Sequence, residues 1–187
     1  MRAGAEPIVR AALRRFASLG FEGASLQAIA LDAGLSKSSV LYHFESKEAL
    51  LDAALRPAVE ELRDLVEESA RLGDETARQA FLGHFVNYLY AHRLEVAVIV
   101  NHGQPLKGMA VVDEADRLVR VLSSHLHPAD ASDRDALRFG VALAGATFAL
   151  VAADRWGGEQ LADDAVRDVL TEVLADFVLP PRSTLPA

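Results

Sequence analysis

Hydrophobic residues recur every three or four positions along most of this chain, which predicts a helical fold. The first stripe occupies positions 8, 9, 12, 13, 16 and 19 and is expected to end at Gly20, a residue that favours helix termination. The last stripe runs from Gln160 to Val178. Between them the same spacing predicts seven further helices, and no segment alternates as a strand would. The predicted fold class is all-α, with about nine helices.

Two of the predicted helices, Ser25–Ala33 and Ser36–Phe44, are short and are separated by little more than Gly34. Serine at the start of a helix accepts a hydrogen bond from a first-turn N–H, and Ser46 is placed to cap the long helix that follows. Two short helices joined by a tight turn are typical of a helix-turn-helix, whose second helix enters the major groove of DNA.

The second short helix has two faces of different chemistry. Val40, Leu41 and Phe44 lie on one side and are expected to pack on Phe16 and Ile29. The other side carries small hydroxyl donors and polar rings suited to phosphate oxygens and base edges, namely Ser38, Ser39, Tyr42 and His43.

Charge is distributed unevenly along the chain, whose formal net charge is −8. Residues 1–56 hold seven Lys or Arg against six Asp or Glu, whereas the remainder holds twelve against twenty-one. Two of the three lysines, Lys37 and Lys47, flank the second short helix, where they are expected to contact the DNA backbone. Attraction to phosphate depends on local charge as well as on the sum, so the acidic total does not exclude nucleic-acid binding.

Composition removes several classes of function. The chain has no cysteine, which excludes disulfides, thiol catalysis and cysteine-held metals. We expect no cofactor and no enzyme activity, because neither a Ser-His-Asp arrangement nor a glycine-rich phosphate loop is present, and His84 with His92 makes a poor metal pair. The longest apolar run, 139–153, is shorter than the roughly 20 residues of a bilayer span, and no signal-peptide core precedes Arg10. We therefore expect a cytoplasmic protein without a membrane partner.

Residues 8–56 resemble the DNA-binding domain of the TetR (tetracycline-repressor) family of bacterial transcription regulators. The resemblance rests on the words "AGLSKSS" and "LYHFESKEAL", which occur in this order with the family's glycine spacing. We accordingly divide the chain into a DNA-binding domain (1–50), a ligand-binding and dimerisation domain (51–179) and a flexible tail (180–187). The resemblance implies phosphate contacts from Ser25, Ser36, Tyr42 and Lys47. It implies contacts in the groove from Lys37, Ser38, Ser39 and His43.

A homodimer is expected, because one short recognition helix reads few base pairs and the usual solution pairs two half-sites about 34–36 Å apart. The family resemblance implies that the last two long helices, predicted at 132–156 and 160–178, form the dimer interface. Small residues within 139–153 would allow helices to approach closely, although part of this run could equally belong to the core.

The resemblance also implies a small-molecule effector bound among the later helices. The candidate lining residues mix apolar walls with hydrogen-bonding groups, although core packing is the alternative for them; they are Phe81, His84, Phe85, Tyr88, Asn101, His102, Met109 and Phe148. Pro57 lies inside a predicted helix, where it removes one backbone hydrogen bond, and we hypothesise a hinge there that responds to the effector.

The predicted function is a ligand-responsive regulator that binds a palindromic operator in double-stranded DNA as a dimer. Repression is the default, since a dimer on a promoter most simply blocks polymerase, and activation stays open. The alternative is a helical small-ligand-binding or interaction module without specific DNA binding.

Overall fold

The computed structural model describes residues 4–126, 133–152 and 163–178, and all regular structure in these ranges is helical. The α-helices are α1 (Glu6–Gly23), α2 (Leu26–Asp32), α3 (Lys37–His43), α4 (Lys47–Ser69), α5 (Glu75–Ala91), α6 (Arg93–His102), α7 (Ala110–Leu126), α8 (Asp133–Ala152) and α9 (Asp163–Val178). A 3-10 turn, Gln104–Leu106, precedes α7. The all-α prediction and its count of helices are confirmed. The predicted tail, 180–187, lies outside the described residues.

Serine side chains start the helices of the N-terminal segment, as the sequence predicts. Ser25, Ser36 and Ser46 each accept a hydrogen bond from the backbone N–H three residues later, at 3.2, 3.1 and 3.1 Å. Asp74 caps α5 in the same way at 2.8 Å. These bonds satisfy amides that have no partner inside their own helix, so they fix where each helix begins.

Gly20 breaks α1 at the predicted place. Its backbone adopts φ 72° and ψ 172°, a left-handed conformation that favours glycine, and one further turn then carries the chain to Gly23. The predicted end of the first helix is therefore confirmed as a break, and the structure adds a short extension beyond it.

The N-terminal unit comprises residues up to Glu61 together with His92–Arg117. In it α1 packs against α2 and α6, and α2 packs against α3. Arg15 on α1 binds both carboxylate oxygens of Asp32 on α2, at 2.6 and 2.9 Å. The side chains that fill this core are fully buried and include Ile8, Phe16, Ile29, Val40, Leu50 and Leu55.

The second unit comprises residues 62–91 and the described residues from Leu118 onward. Here α9 packs against both α5 and α8. Its core holds large side chains with almost no exposure, including Phe81, Phe85, Leu89, Leu170 and Leu174. Within the described residues of both units, no helix is long and apolar enough to cross a membrane.

The packing units differ from the division expected from the sequence, because α6 and the start of α7 group with the N-terminal helices. The functional division at residue 50 stays a prediction. Helix α4 contributes residues to both units and continues through Pro57, which is exposed. The hinge at Pro57 likewise stays a prediction.

Candidate nucleic-acid interface

One side of α3 is open to solvent and the other is covered by the N-terminal unit. Val40 is fully buried, whereas Lys37, Ser38, Leu41 and Tyr42 are exposed. Residues four apart lie above one another on a helix, so 37 with 41 and 38 with 42 make two adjacent rows. We call these four residues the α3 face. Its chemistry is one cation, one hydroxyl, one phenol and one aliphatic side chain.

The structure corrects the predicted orientation of α3. Leu41, expected in the core beside Val40 and Phe44, is 42% exposed and belongs to the open face. His43, expected on the open face, is half-buried, and its Nδ1 is buried without a hydrogen-bond partner in the described part of the chain. The physical reason is that the imidazole packs edge-on against Tyr42 and beside Phe44, which reduces its exposure, whereas Leu41 lies about 100° around the helix from the buried Val40.

Three serine hydroxyls form a small network at the start of α3. Ser36 Oγ lies 2.8 Å from both Ser38 Oγ and Ser39 Oγ while it accepts the Ser39 N–H. A hydroxyl has one donor and two acceptor positions, so Ser36 accepts from one neighbouring serine and donates to the other. One of the three hydroxyl hydrogens is left to donate to a ligand. The predicted contact residues Ser36, Ser38 and Ser39 are therefore brought together.

Lys37 and Lys47 occupy different environments. Lys37 is exposed at the first position of α3. The ammonium of Lys47 donates to the carbonyls of Phe21 (2.8 Å) and Ala24 (3.2 Å) and lies 4.1 Å from the centroid of the Phe21 ring. Lys47 thus links the start of α4 to the end of α1. One of the three N–H donors of its ammonium remains for a phosphate. Its contact with DNA stays a prediction.

Three arginines of the N-terminal unit are paired with carboxylates. Arg10 pairs with Glu6 at 2.6 Å, and Arg56 pairs with Asp52 and, at 2.9 Å, with Glu114. Asp32 is held by the guanidinium of Arg15, whose hydrogen bond lowers the pKa of that carboxyl. Ion pairs of this kind weaken the field that these arginines present to a distant polyanion, which leaves Lys37 as the cation of the α3 face.

The aromatic residues predicted for an effector site fall into two groups within the second unit. Phe81, Phe85 and Tyr88 are buried, and their rings stack with centroids 6.0 and 6.5 Å apart. His84, the other candidate on α5, is exposed, and its Nδ1 lies 3.0 Å from a carboxylate oxygen of Glu68. Phe148 is exposed on α8.

The other three residues predicted for the effector site belong to the N-terminal unit. Asn101 is exposed and Met109 is half-buried. His102 is half-buried, and its Nε2 lies 3.2 Å from the carbonyl of Ala17. The eight residues therefore do not form one cluster within either unit, and the effector site stays a prediction.

Exposed apolar side chains follow the two helices predicted to form a dimer interface. On α8 they are Leu137, Val141 and Phe148, and on α9 they are Val169 and Val173. The opposite side of α8 is covered, as the burial of Ala146 and Leu150 shows. The apolar run of the sequence therefore divides into a core side and an exposed side.

Comparison with known proteins identifies the N-terminal segment. Residues 8–54 match the family described as bacterial regulatory proteins of the tetR family. A crystal structure of a TetR-family transcriptional regulator from Bordetella parapertussis 12822 matches over 100% of both chains, with a TM-score of 0.68 and 19% sequence identity. Residues 8–54 are therefore a domain of the tetR family of bacterial regulatory proteins, and the chain as a whole shares the fold of solved TetR-family regulators.

The curated relatives match part of this chain. The HTH-type transcriptional regulator RutR of Escherichia coli (strain K12) is 53% identical over 49 residues, which are 26% of this chain and 23% of RutR. The HTH-type transcriptional regulator BetI of Stenotrophomonas maltophilia (strain R551-3) is 35% identical over 75 residues, or 40% of this chain and 38% of BetI. The chain thus spans less than a quarter of the length of RutR, and the α3 face lies within the family match.

Proposed function

We propose that this protein is a ligand-responsive transcription regulator of the TetR family that binds an operator in double-stranded DNA. The observation that carries the proposal is the α3 face, which turns a cation, a hydroxyl, a phenol and a leucine to solvent from the second helix of a helix-turn-helix. That helix is the element that such domains place in the major groove.

Each polar member of the α3 face has a distinct task in this proposal. The ammonium of Lys37 binds a backbone phosphate or the O6 and N7 acceptors of a guanine. The hydroxyl of Ser38 donates to a phosphate or base edge, and the phenol of Tyr42 donates to a phosphate. Ser25 lies at the exposed start of α2, where its backbone N–H and hydroxyl suit a second phosphate. These contacts set the register of α3 in the groove.

A homodimer would present two α3 faces to a palindromic operator. The exposed apolar stripe of α8 and α9 supports this part of the proposal, because an exposed stripe of this kind on a pair of packed helices favours association. Two paired helices from each copy would form a four-helix interface. The two α3 faces would then read half-sites separated by one helical turn, about 34–36 Å, or a multiple of it.

An effector would change the affinity for the operator. A ligand that binds the folded protein raises its melting temperature by mass action, so a screen of metabolites by thermal denaturation finds the effector without knowledge of the operator. A hundredfold loss of operator affinity requires about 2.7 kcal/mol of coupling between the two sites. With that coupling the effector would release the repressor from its promoter.

The direct test titrates the protein with the DNA upstream of its own gene and with random DNA at several salt concentrations. A regulator binds one site there saturably, and its affinity falls steeply with salt because bound counterions are released. A ligand-binding module without a DNA site, the alternative function, binds both DNAs alike.

Two substitutions at Tyr42 tie that titration to the α3 face. Tyr42→Ala removes the ring and the hydroxyl, and Tyr42→Phe removes the hydroxyl alone. Because Tyr42 is 75% exposed, neither change should shift the urea midpoint of unfolding. We expect Tyr42→Phe to weaken operator binding about tenfold, the value of one hydrogen bond to a charged acceptor, and Tyr42→Ala to weaken it further. Unchanged affinity in Tyr42→Ala would remove the α3 face from the binding site.

A further inference from the structure

Leu41 is the one member of the α3 face that forms no hydrogen bonds. It is 42% exposed, one helical turn after Lys37, and next to Tyr42 in sequence. A single exposed leucine on a protein surface is ordinary. This one differs because every neighbour on its face is a group that binds phosphates or base edges.

The major groove offers one apolar group at the level of the bases, the 5-methyl of thymine. An aliphatic side chain contacts that methyl group and excludes water from it, whereas cytosine presents an amino donor that leucine leaves unsatisfied. In the proposed complex, phosphate contacts from the polar members of the α3 face hold the helix on either side of the leucine. The leucine between them then meets the base edges and not the phosphates.

We propose that Leu41 reads a thymine methyl group in each half-site of the operator, so that the preferred DNA carries a thymine opposite this side chain. The inference rests on the proposed function and adds the chemical class that the α3 face prefers. It also assigns a specificity role to a residue that the sequence pattern had placed in the core.

The experiment deletes the methyl group from the DNA and its partner from the protein. The preferred operator is first selected from random duplexes with the wild-type protein. Each thymine is then replaced in turn by deoxyuridine, which lacks only the 5-methyl group and keeps all hydrogen-bonding groups. Dissociation constants are measured for the wild-type protein and for Leu41→Ala on every duplex.

We expect deoxyuridine at one position of each half-site to weaken wild-type binding about fourfold per methyl group, the value of one buried methyl. Leu41→Ala should bind the unmodified operator correspondingly less well and should show no further loss on the same deoxyuridine duplex. Leu31→Ala is the matched control, because Leu31 is an exposed leucine on α2 that is outside the α3 face. It should keep the full deoxyuridine effect.

Other outcomes overturn the inference. Equal losses in wild-type and Leu41→Ala would assign the methyl group to another residue or to DNA shape, and no loss at any position would show that no methyl group is read. If Leu31→Ala, and not Leu41→Ala, were insensitive to the deoxyuridine substitution, the contact with the methyl group would lie on α2. If the wild-type protein selects no preferred duplex at all, the proposed function itself fails, and that result is distinct from the other three. The urea midpoint of Leu41→Ala should equal that of the wild type.

Discussion

At the residue scale, Lys37 and Lys47 show that the same side chain serves two purposes a few residues apart. Lys37 extends from α3 into solvent, whereas Lys47 is held by two carbonyls at the end of α1 and by the face of Phe21. The Lys47 ammonium donates to the carbonyl of Ala24 and is a second donor to the carbonyl of Phe21, which also accepts the Ala24 N–H.

The primary effect of replacing Lys47 should therefore be a lower free energy of unfolding, and a lower DNA affinity should be secondary. Lys47→Ala removes two charge-assisted hydrogen bonds and one cation–π contact, and we expect the free energy of unfolding to fall by about 1.5–3 kcal/mol. Lys37→Ala, the matched control at an exposed position, should change it by less than about 0.5 kcal/mol while it weakens DNA binding. Urea denaturation measures the free energy of unfolding of both variants. Equal decreases in the two variants would contradict the stabilising role of Lys47.

Local hydrogen bonds were predictable from the sequence and distant ones were not. The caps by Ser25, Ser36 and Ser46 reach only three residues along the chain, so the local pattern defines them. The partners of Lys47 lie 23 and 26 residues away, which no spacing rule indicates. The exposure of Leu41 was missed for a similar reason, because it depends on which side of α3 the other helices cover.

At the element scale, the start of α6 is tied to α4 through His92 in the N-terminal unit. The His92 side chain is 15% exposed, with Nε2 at 2.8 Å from Glu61 and Nδ1 at 3.6 Å from Glu95. The carboxylates of Glu95 and Glu61 raise the pKa of His92 and outweigh burial, which lowers it. Folding therefore favours the protonated imidazole.

This raised pKa makes part of the stability depend on pH. The contribution of His92 should be complete below the unfolded pKa, about 6.5, and should disappear as the pH rises through the higher pKa of the folded state. Urea denaturation of the wild type and of His92→Gln at a series of pH values measures it. The difference between the two free energies should shrink with increasing pH, and a constant or growing difference would contradict the assignment.

The break in α1 gives a second prediction at this scale. Gly20 has φ 72°, and an added Cβ would stand 3.3 Å from Nδ1 of His102. Gly34 has φ 69° but nothing within 4 Å of such a Cβ. Gly34→Ala should cost about 1 kcal/mol of unfolding free energy through backbone strain alone. Gly20→Ala should cost more, because His102 must also move. An equal or smaller loss in Gly20→Ala would show that the His102 contact is unimportant.

Helix boundaries followed the sequence where a local signal defines them. The second short helix, predicted from Ser36 to Phe44, is α3 at Lys37–His43 between those two cap residues. The hydrophobic pattern also predicts a helix from about Leu106 to His127, and this start is too early. Gly108 adopts φ 94° after the 3-10 turn, so α7 begins only at Ala110.

At the scale of the whole molecule, the grouping of α6 with α1 could not be predicted, because the two helices are far apart in sequence and their contact is a property of the assembled fold. The similarity to the TetR family predicted the architecture, and the hydrophobic pattern alone predicted only the helices. The apolar run in α8 predicted an interface or a core, and the structure shows one covered face and one exposed face.

The exposed apolar stripe of α8 and α9 predicts that a charged residue introduced there will weaken self-association. Val141 is 64% exposed on α8, and we expect Val141→Glu to shift the protein from dimer to monomer in sedimentation velocity, since an unpaired buried charge costs several kcal/mol. Leu31→Glu introduces the same charge at another exposed leucine and should leave the dimer intact. A dimer that survives Val141→Glu would move the interface elsewhere.

The most direct test of the account locates α3 on DNA. The sequence contains no cysteine, so Ser38→Cys accepts a single iron-chelate cleavage reagent at the α3 face. Gln104→Cys, in the 3-10 turn, is the control. On the selected operator, the Ser38→Cys conjugate should cut at two symmetric major-groove positions whose centres are one or more helical turns of about 10 base pairs apart. Cleavage that is spread evenly along the duplex, or that matches the Gln104→Cys conjugate, would contradict the claim that α3 reads the DNA.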